Sequence, residues 1–217
     1  MTRHLTAKPE SSYKAPTITL KGPRGQTLSI QVQFDDRIRL VSSIFLLTKF
    51  VNENSGFKPH PLKVRTIEYL EPHRDHPCAV ASREIAETYW MVDFYEYAIL
   101  LDRTFAIRGD AVATEHGKGR VRYFKERGYS DLLQRFYKDT EIILLWNRTD
   151  DLWREVQRDC HACLQANCFE DFLGLFFGES PYQMMFVLNP LDPPTFGFGL
   201  NDGMTAYCTF GPPTVPP

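Results

Sequence analysis

Apolar and polar residues alternate strictly in two short stretches near the start of the chain. The stretches are Thr17–Leu20 and Leu28–Phe34, and they flank the turn-forming segment Gly22–Gly25. Alternation with a period of two is typical of a strand with one buried face, and Gly and Pro between two such stretches favour a reversal. The pattern therefore predicts an N-terminal β-hairpin.

The middle of the chain changes to helical spacing. Asp35 or Asp36 can cap a first helix whose apolar or small residues recur every three or four positions, at Ile38, Val41, Phe45, Thr48 and Val51. A cap at Asp75 or His76 precedes the helix that starts at Pro77. Ser130 and Thr149–Asp151 are later caps. Helices are predicted over Leu62 to about Leu70, Cys78 towards Trp90, Asp93–Leu101, Leu132–Tyr137, Glu141–Trp146, Leu152 to about Gln165, and Phe169–Phe177. The Gly-containing segment Arg108–Arg120 is predicted to be a loop and a mobile flap.

The pattern changes again near the end, where Tyr182–Pro190 and Phe196–Gly199 are short, apolar and bounded by Pro and Gly. Such segments are typical of strands. The predicted fold class is α+β and mostly α-helical, with the hairpin, a helical body and a small late antiparallel or mixed sheet. The predicted organisation is a flexible N-terminus (1–15), one domain (16–210) and a Pro-rich tail (211–217).

The composition of the chain limits the classes of partner that can be expected. The chain is 43% hydrophobic and 24% charged, with a net charge of −2, so charge gives no reason to expect nucleic acid or an anionic membrane as a partner. It lacks an apolar run of about 18 residues, the minimum for a membrane span. Five cysteines at irregular spacing do not resemble a disulfide framework. With no signal-like stretch at the start, a cytoplasmic location is favoured, and a secreted mature chain stays open.

Cys160 and Cys163, with Cys168 nearby, form the most conspicuous group of possible metal ligands. A Cys-x-x-Cys pair can bind zinc or cycle as a dithiol. A structural zinc site needs four ligands, however, and a redox pair is expected at a helix start, whereas this pair lies near a helix end. Incidental or core cysteines are therefore the favoured interpretation, and a small Cys-based metal or redox protein is the alternative.

His73, Asp75 and His76 could also bind a metal, but capping hydrogen bonds explain residues in a Pro-bounded turn equally well. Glu115 and His116 fit a solvated loop. No nucleophile elbow, phosphate loop or dinucleotide fingerprint is present. The residues therefore predict no catalytic group, no metal site and no cofactor.

Gly197 and Gly199 alternate with Phe196 and Phe198. Glycines in a strand allow another backbone to approach closely, which favours a binding edge. A tight bend in a small sheet explains the same residues, so both interpretations stay open.

Three segments carry a family resemblance: the helix around Leu40–Phe45, the helix start Asp75–Val80, and Phe169–Phe177 followed by Phe186–Leu191. Their order, over about residues 34 to 200, resembles an uncharacterised bacterial family of zincin-like proteins, presumed metallopeptidases with a gluzincin-type core. The resemblance implies a helix with the motif His-Glu-x-x-His after the strands, in which two His hold zinc and the Glu activates water.

The sequence contains no His-Glu-x-x-His motif. The resemblance therefore transfers no catalytic residue, and zinc is expected only if a downstream helix supplies that motif. It implies the front portion of a metallopeptidase-type domain, catalytically incomplete as given, or a degenerate relative. In zincins an edge strand pairs with the extended peptide substrate, and the resemblance assigns Asn189, Gly197 and Gly199 to that groove.

Two further expectations follow. The alternative to a metallopeptidase is a non-enzymatic helical domain whose aromatic surface binds a peptide or protein partner. If the chain is instead the front of an enzyme, one face of its late sheet is uncovered. Self-association is then expected through Met184, Phe186, Phe196 and Phe198.

Overall fold

The computed structural model describes residues 17–21, 27–48, 59–109, 117–166, 183–193, 196–201 and 205–212. Predictions on Val51, residues 110–116 and Phe169–Phe177 lie outside these ranges. The described elements, in chain order, are β1 (Thr17–Lys21), β2 (Thr27–Gln33), α1 (Asp36–Phe45), α2 (Pro61–Leu70), α3 (Pro77–Ala86), α4 (Met91–Ala98), α5 (Gly117–Glu126), α6 (Tyr129–Asp139), α7 (Ile142–Arg148), α8 (Asp150–Ala166), β3 (Gln183–Leu188), β4 (Gly197–Asn201) and β5 (Thr205–Phe210). None of these helices is long and apolar enough to span a membrane.

All five strands form one sheet in the order β1-β2-β3-β5-β4. The predicted hairpin is confirmed, with β1 antiparallel to β2. Strand β2 then pairs in parallel with β3, and β3 in parallel with β5. An antiparallel pair of β4 and β5 completes the sheet. The α+β, mostly helical fold class is confirmed, and the hairpin and the late strands belong to the same mixed sheet.

The sheet lies between α8 and the helical body. On one face, Val32, Met184 and Phe186 pack with Val156 and Cys160 of α8. On the other face, Val187, Leu200 and Tyr207 join the main core of helices. A sheet with both faces covered explains why β3 is apolar from Met184 to Leu188.

The expected exposure of Met184 and Phe186 is therefore wrong, because α8 covers that face and both side chains are buried. Phe196 is exposed and Phe198 is half-buried.

Aromatic rings fill much of the helical core. Phe45 of α1 meets Phe94 of α4 edge to face, with ring centroids 4.5 Å apart. Phe124 of α5 stacks on Tyr97 of α4 at 4.8 Å. Trp146 is buried in the same core, beside Arg39 of α1. Rings in these arrangements gain energy beyond the area that they bury, so they fix how the helices pack around α1.

Helices α1 and α3 start at predicted caps, whereas α1 ends earlier than predicted. Asp35 accepts hydrogen bonds from the backbone N–H groups of Arg37 and Ile38, at 2.9 and 3.4 Å. Helix α1 ends at Phe45, short of the predicted Thr48 and Val51. The His76 ring accepts from the N–H of Cys78 at 3.1 Å, as a cap of α3.

Two local predictions are wrong. The helix predicted to run towards Trp90 stops at Ala86, and Ser130 is not a cap, because Gly128 with a φ of 59° precedes α6. The Ser130 hydroxyl instead donates to the Phe105 carbonyl at 2.8 Å.

Residues 117–120 of the predicted loop belong to α5. The two glycines of this segment argue against a helix by propensity alone. Burial of Val121 and Phe124 against the core outweighs that preference.

Candidate functional site

The strongest concentration of polar groups lies at the carboxyl ends of the parallel strands. Asn189 directly follows β3 and Gly211 directly follows β5, and the backbone N–H of Asn189 donates to the Phe210 carbonyl at 2.8 Å. Ligand sites in sheets with parallel strands commonly form at this end. Ser42 of α1, Tyr95 of α4, and Asn189 and Asp192 from the turn after β3 converge there, and we name these four residues the Asp192 cluster.

The Asp192 cluster is a continuous hydrogen-bonded network. The Tyr95 hydroxyl is hydrogen-bonded to Asp192 Oδ1 and lies 2.8 Å from Ser42 Oγ. The Asn189 amide donates to Ser42 Oγ at 2.6 Å and to the Tyr95 hydroxyl at 3.0 Å. Ser42 in turn donates to the Ile38 carbonyl at 2.7 Å. The network ties α1 and α4 to the turn between β3 and β4.

Two oxygens in the cluster have no donor in the part of the chain that the structure describes. Among the described residues, neither Asn189 Oδ1 nor Asp192 Oδ2 has a hydrogen-bond partner, although both are buried. Burial raises the pKa of Asp192 to about 7, while the neighbouring side chains of Tyr95, Asn189 and Lys63 act to lower it. Burial also raises the pKa of Tyr95 well above its ordinary value. Burial of Asp192 therefore favours the neutral form of its carboxyl.

The Asp192 cluster does not contact the surface. Asn189 is 1% exposed and Asp192 is 2% exposed. These side chains can exchange a proton, but a peptide cannot touch them in this conformation. Asn189 therefore supports the turn from within and does not line a surface groove, unlike the position that the resemblance assigns to it.

The second feature is the outer edge of β4. Strand β4 is last in the sheet, and none of the described residues forms a strand on its other side. The Gly211 N–H donates to the Phe196 carbonyl at 2.8 Å, and the register places these two residues opposite each other, one step before the pair Gly197↔Phe210. Phe196 and Gly211 are therefore a hydrogen-bonded pair.

Hydrogen-bonded and non-hydrogen-bonded pairs alternate along an antiparallel ladder. Phe198 and Leu200 consequently direct their backbone groups towards β5. Gly197 and Gly199 direct their N–H and C=O groups away from β5, towards the outer edge. We name these outward backbone groups of Gly197 and Gly199 the β4 edge.

The β4 edge is accessible and bordered by aromatic rings. A Cβ added at Gly199 would meet nothing within 4 Å. Phe196 is 44% exposed and Phe210 is 37% exposed. Phe210 stacks on Phe186 with centroids 5.1 Å apart. An extended backbone can therefore reach the β4 edge beside an apolar surface.

The cluster and the edge are connected. The Phe196 N–H donates to the Pro193 carbonyl at 3.2 Å, so the turn that contains Asp192 is hydrogen-bonded to the residue before β4. The Phe198 ring packs against Tyr95, with centroids 5.9 Å apart. A change at Asp192 can thus reach β4 through the turn and through Tyr95.

The other candidate ligands lie elsewhere. Cys160 is half-buried against the sheet, and burial raises its pKa to about 11, while Cys163 is exposed. His73 lies in a single 3-10 turn, and the His76 ring lies 3.4 Å from Asp139. The described part of the chain contains no group of three or more His, Cys, Asp or Glu able to hold a metal. Cys168, Glu115 and His116 lie outside it.

Sequence reasoning missed Ser42, Tyr95 and Asp192. Ser42 is a polar residue on a face of α1 that is otherwise apolar, and Asp192 directly precedes two prolines. Both features could have marked these residues as unusual, but nothing in the sequence indicates that residues so far apart along the chain come into contact. Comparison with family models, with curated proteins and with solved structures gave no match.

Proposed function

We propose that this domain binds an extended peptide or protein segment, which adds as a strand to the β4 edge. The observation that carries the proposal is the outward direction of the Gly197 and Gly199 backbone groups on the last strand of the sheet. An added strand satisfies such groups through main-chain hydrogen bonds. Glycine side chains leave the approach unobstructed.

Main-chain hydrogen bonds alone do not give useful affinity. The two glycines offer two N–H and two C=O groups, and each bond contributes about 1 kcal/mol, or about 4 kcal/mol together. Micromolar binding requires about 8 kcal/mol. The partner must therefore also bury apolar surface.

The exposed ring of Phe210 supplies that apolar surface. Gly197 lies directly opposite Phe210 in the register, so no β4 side chain stands between Phe210 and an added strand. Side chains alternate along a strand, and those on the glycine side would reach the Phe210 ring. The expected partner is therefore an extended segment with apolar residues at every second position.

The metallopeptidase interpretation and the interaction-domain interpretation share this surface, because zincins also bind their peptide substrates along an edge strand. The metallopeptidase interpretation additionally requires a zinc-binding helix, and this sequence contains no motif for one. We favour the interaction domain, since every group that it needs lies among the described residues. The zincin-like interpretation stays a prediction.

Two substitutions at one residue test the proposal. Gly199→Pro removes the outward N–H, whereas Gly199→Ala keeps it and adds a Cβ that meets nothing within 4 Å. Peptides selected from a random display library on the wild-type chain at pH 6 are then titrated against both variants. We expect Gly199→Pro to bind at least about tenfold more weakly, from the lost bond and the obstructed approach, and Gly199→Ala to bind within about twofold of wild type.

Proline is tolerated on an edge strand where its nitrogen faces outward. Thermal unfolding of both variants establishes that the fold is kept. Strand addition at β4 is contradicted if the selection yields no peptide. It is also contradicted if the two folded variants bind the selected peptides with equal affinity.

A further inference from the structure

We propose that Asp192 is a buried proton-binding site, and that release of its proton shifts the turn Asn189–Pro193 and with it the β4 edge. The neutral carboxylic acid is the form that completes the network of the Asp192 cluster. The consequence for peptide affinity rests on the proposed function, whereas the proton site and its effect on β4 do not.

A count of hydrogens supports the neutral acid. The cluster makes five polar contacts: Ser42 with the Ile38 carbonyl, Ser42 with Tyr95, Tyr95 with Asp192, and Asn189 with both hydroxyls. With Asp192 ionised, the hydroxyls supply one hydrogen each and the amide supplies two. These four hydrogens leave one of the five contacts without a proton.

A proton on Asp192 Oδ1 supplies the fifth hydrogen. Asp192 then donates to Tyr95, Tyr95 donates to Ser42, and Ser42 donates to the Ile38 carbonyl. The two amide hydrogens of Asn189 go to the Ser42 and Tyr95 oxygens. Each hydroxyl oxygen now donates once and accepts twice, which is its full capacity.

The second carboxyl oxygen favours the same state. Asp192 Oδ2 is buried and has no hydrogen-bond partner among the described residues. A charged oxygen without a donor is far costlier to bury than the carbonyl oxygen of a neutral acid. The pKa of Asp192, which burial raises, likewise favours the neutral acid.

The groups that face Asp192 come from several elements. Tyr95 of α4 is hydrogen-bonded to Asp192, and Asn189 belongs to the same turn. Among the described residues, the half-buried ammonium of Lys63 on α2 acts on Asp192 through its charge, and burial lowers the pKa of Lys63. Ser42 of α1 does not titrate. Lys63 therefore opposes the effect of burial only in part.

The turn transmits the change because it is tightly packed. A Cβ on Gly211 would lie 2.2 Å from the Pro193 carbonyl oxygen and 3.5 Å from the Asp192 Cβ. The same Pro193 oxygen accepts from the N–H of Phe196, the residue before β4. Movement of an ionised Asp192 towards water thus displaces the start of β4.

Nuclear magnetic resonance of the peptide-free chain tests the proton site. We expect the Asp192 side-chain carboxyl carbon to titrate with a midpoint near pH 7, and the amide signals of Gly197 and Gly199 to shift with the same midpoint. In Asp192→Asn, whose amide donates as the neutral acid does, the glycine signals should stay constant over that range. A carboxyl that titrates near its ordinary value, or glycine signals that ignore its titration, would overturn the inference.

The selected peptides test the consequence for binding. If only the neutral form binds, wild-type affinity falls about tenfold between pH 6 and pH 8, as fractional protonation requires. Asp192→Asn should bind equally at both values. Wild-type binding that is independent of pH, or an equal fall in the variant, contradicts the coupling. If no peptide binds at either pH, the proposed function fails, and the magnetic resonance titration alone decides whether Asp192 controls β4.

Discussion

Burial of the Asp192 carboxylate is energetically unfavourable, because its side chain is fully enclosed and one of its oxygens has no donor among the described residues. Tyr95 offsets part of this cost through its hydrogen bond with the other oxygen, and Asn189 in turn donates to the Tyr95 hydroxyl. None of these three residues is informative alone. Their chemistry arises because α4 and the turn after β3 bring them together.

The raised pKa of Asp192 predicts how stability depends on pH. Between its ordinary pKa of 3.8 and its folded value of about 7, the unfolded chain has released the proton and the folded chain has not. The free energy of unfolding should therefore fall as pH rises through this window and then level off, by about 4 kcal/mol in all.

Asp192→Asn removes this contribution, so the variant should gain stability over wild type as pH rises from 4 to 7. Urea unfolding of both proteins across this range measures the difference. Parallel stability curves would mean that Asp192 is already ionised in the folded state at low pH.

Among the glycines whose surroundings the structure describes, Gly211 has the least space. Gly211→Ala places a Cβ against the Pro193 carbonyl oxygen, which is backbone and cannot rotate away. We expect a loss of about 1–3 kcal/mol, the usual cost of overpacking. Gly199→Ala is the matched control and should be close to wild type, because its Cβ meets open space. Chemical denaturation that ranks the two variants equally would show that the turn is not tightly packed.

At the scale of elements, local chemistry in the sequence predicted most of what was found. The hairpin followed from alternation, and the start of α1 followed from Asp35, because both signals depend on neighbouring residues. Helix α5 was missed because the stabilising contact of Phe124 with Tyr97 is tertiary. Its glycines were the only local signal, and they pointed to a loop.

Helix α1 supports two predictions about the core. Phe45 packs on Phe94, and the Trp146 ring lies 4.4 Å from the Arg39 guanidinium. Phe45→Ala and Trp146→Ala should each lower the free energy of unfolding by about 3–5 kcal/mol, the range for emptying a buried aromatic site. A loss under about 1 kcal/mol for either variant, measured by chemical denaturation, would mean that α1 packs differently.

At the scale of the whole molecule, the sheet joins the two ends of the described chain. Ile30 of β2 pairs with Met184 of β3, and no local pattern encodes a pairing over that distance. The sequence indicated Gly197 and Gly199 as a candidate edge. It could not indicate that β4 is last in the sheet, or that the Asp192 cluster lies behind it, because both depend on the strand order.

Amide hydrogen exchange along β4 tests the central claim most directly. In the free protein, the N–H of Gly199 should exchange much faster than that of Leu200, which faces β5. A peptide selected on the chain should slow the exchange of Gly197 and Gly199 and leave Leu200 nearly unchanged, since an added strand protects only outward groups. A bound peptide that leaves both glycines in fast exchange would contradict strand addition at the β4 edge.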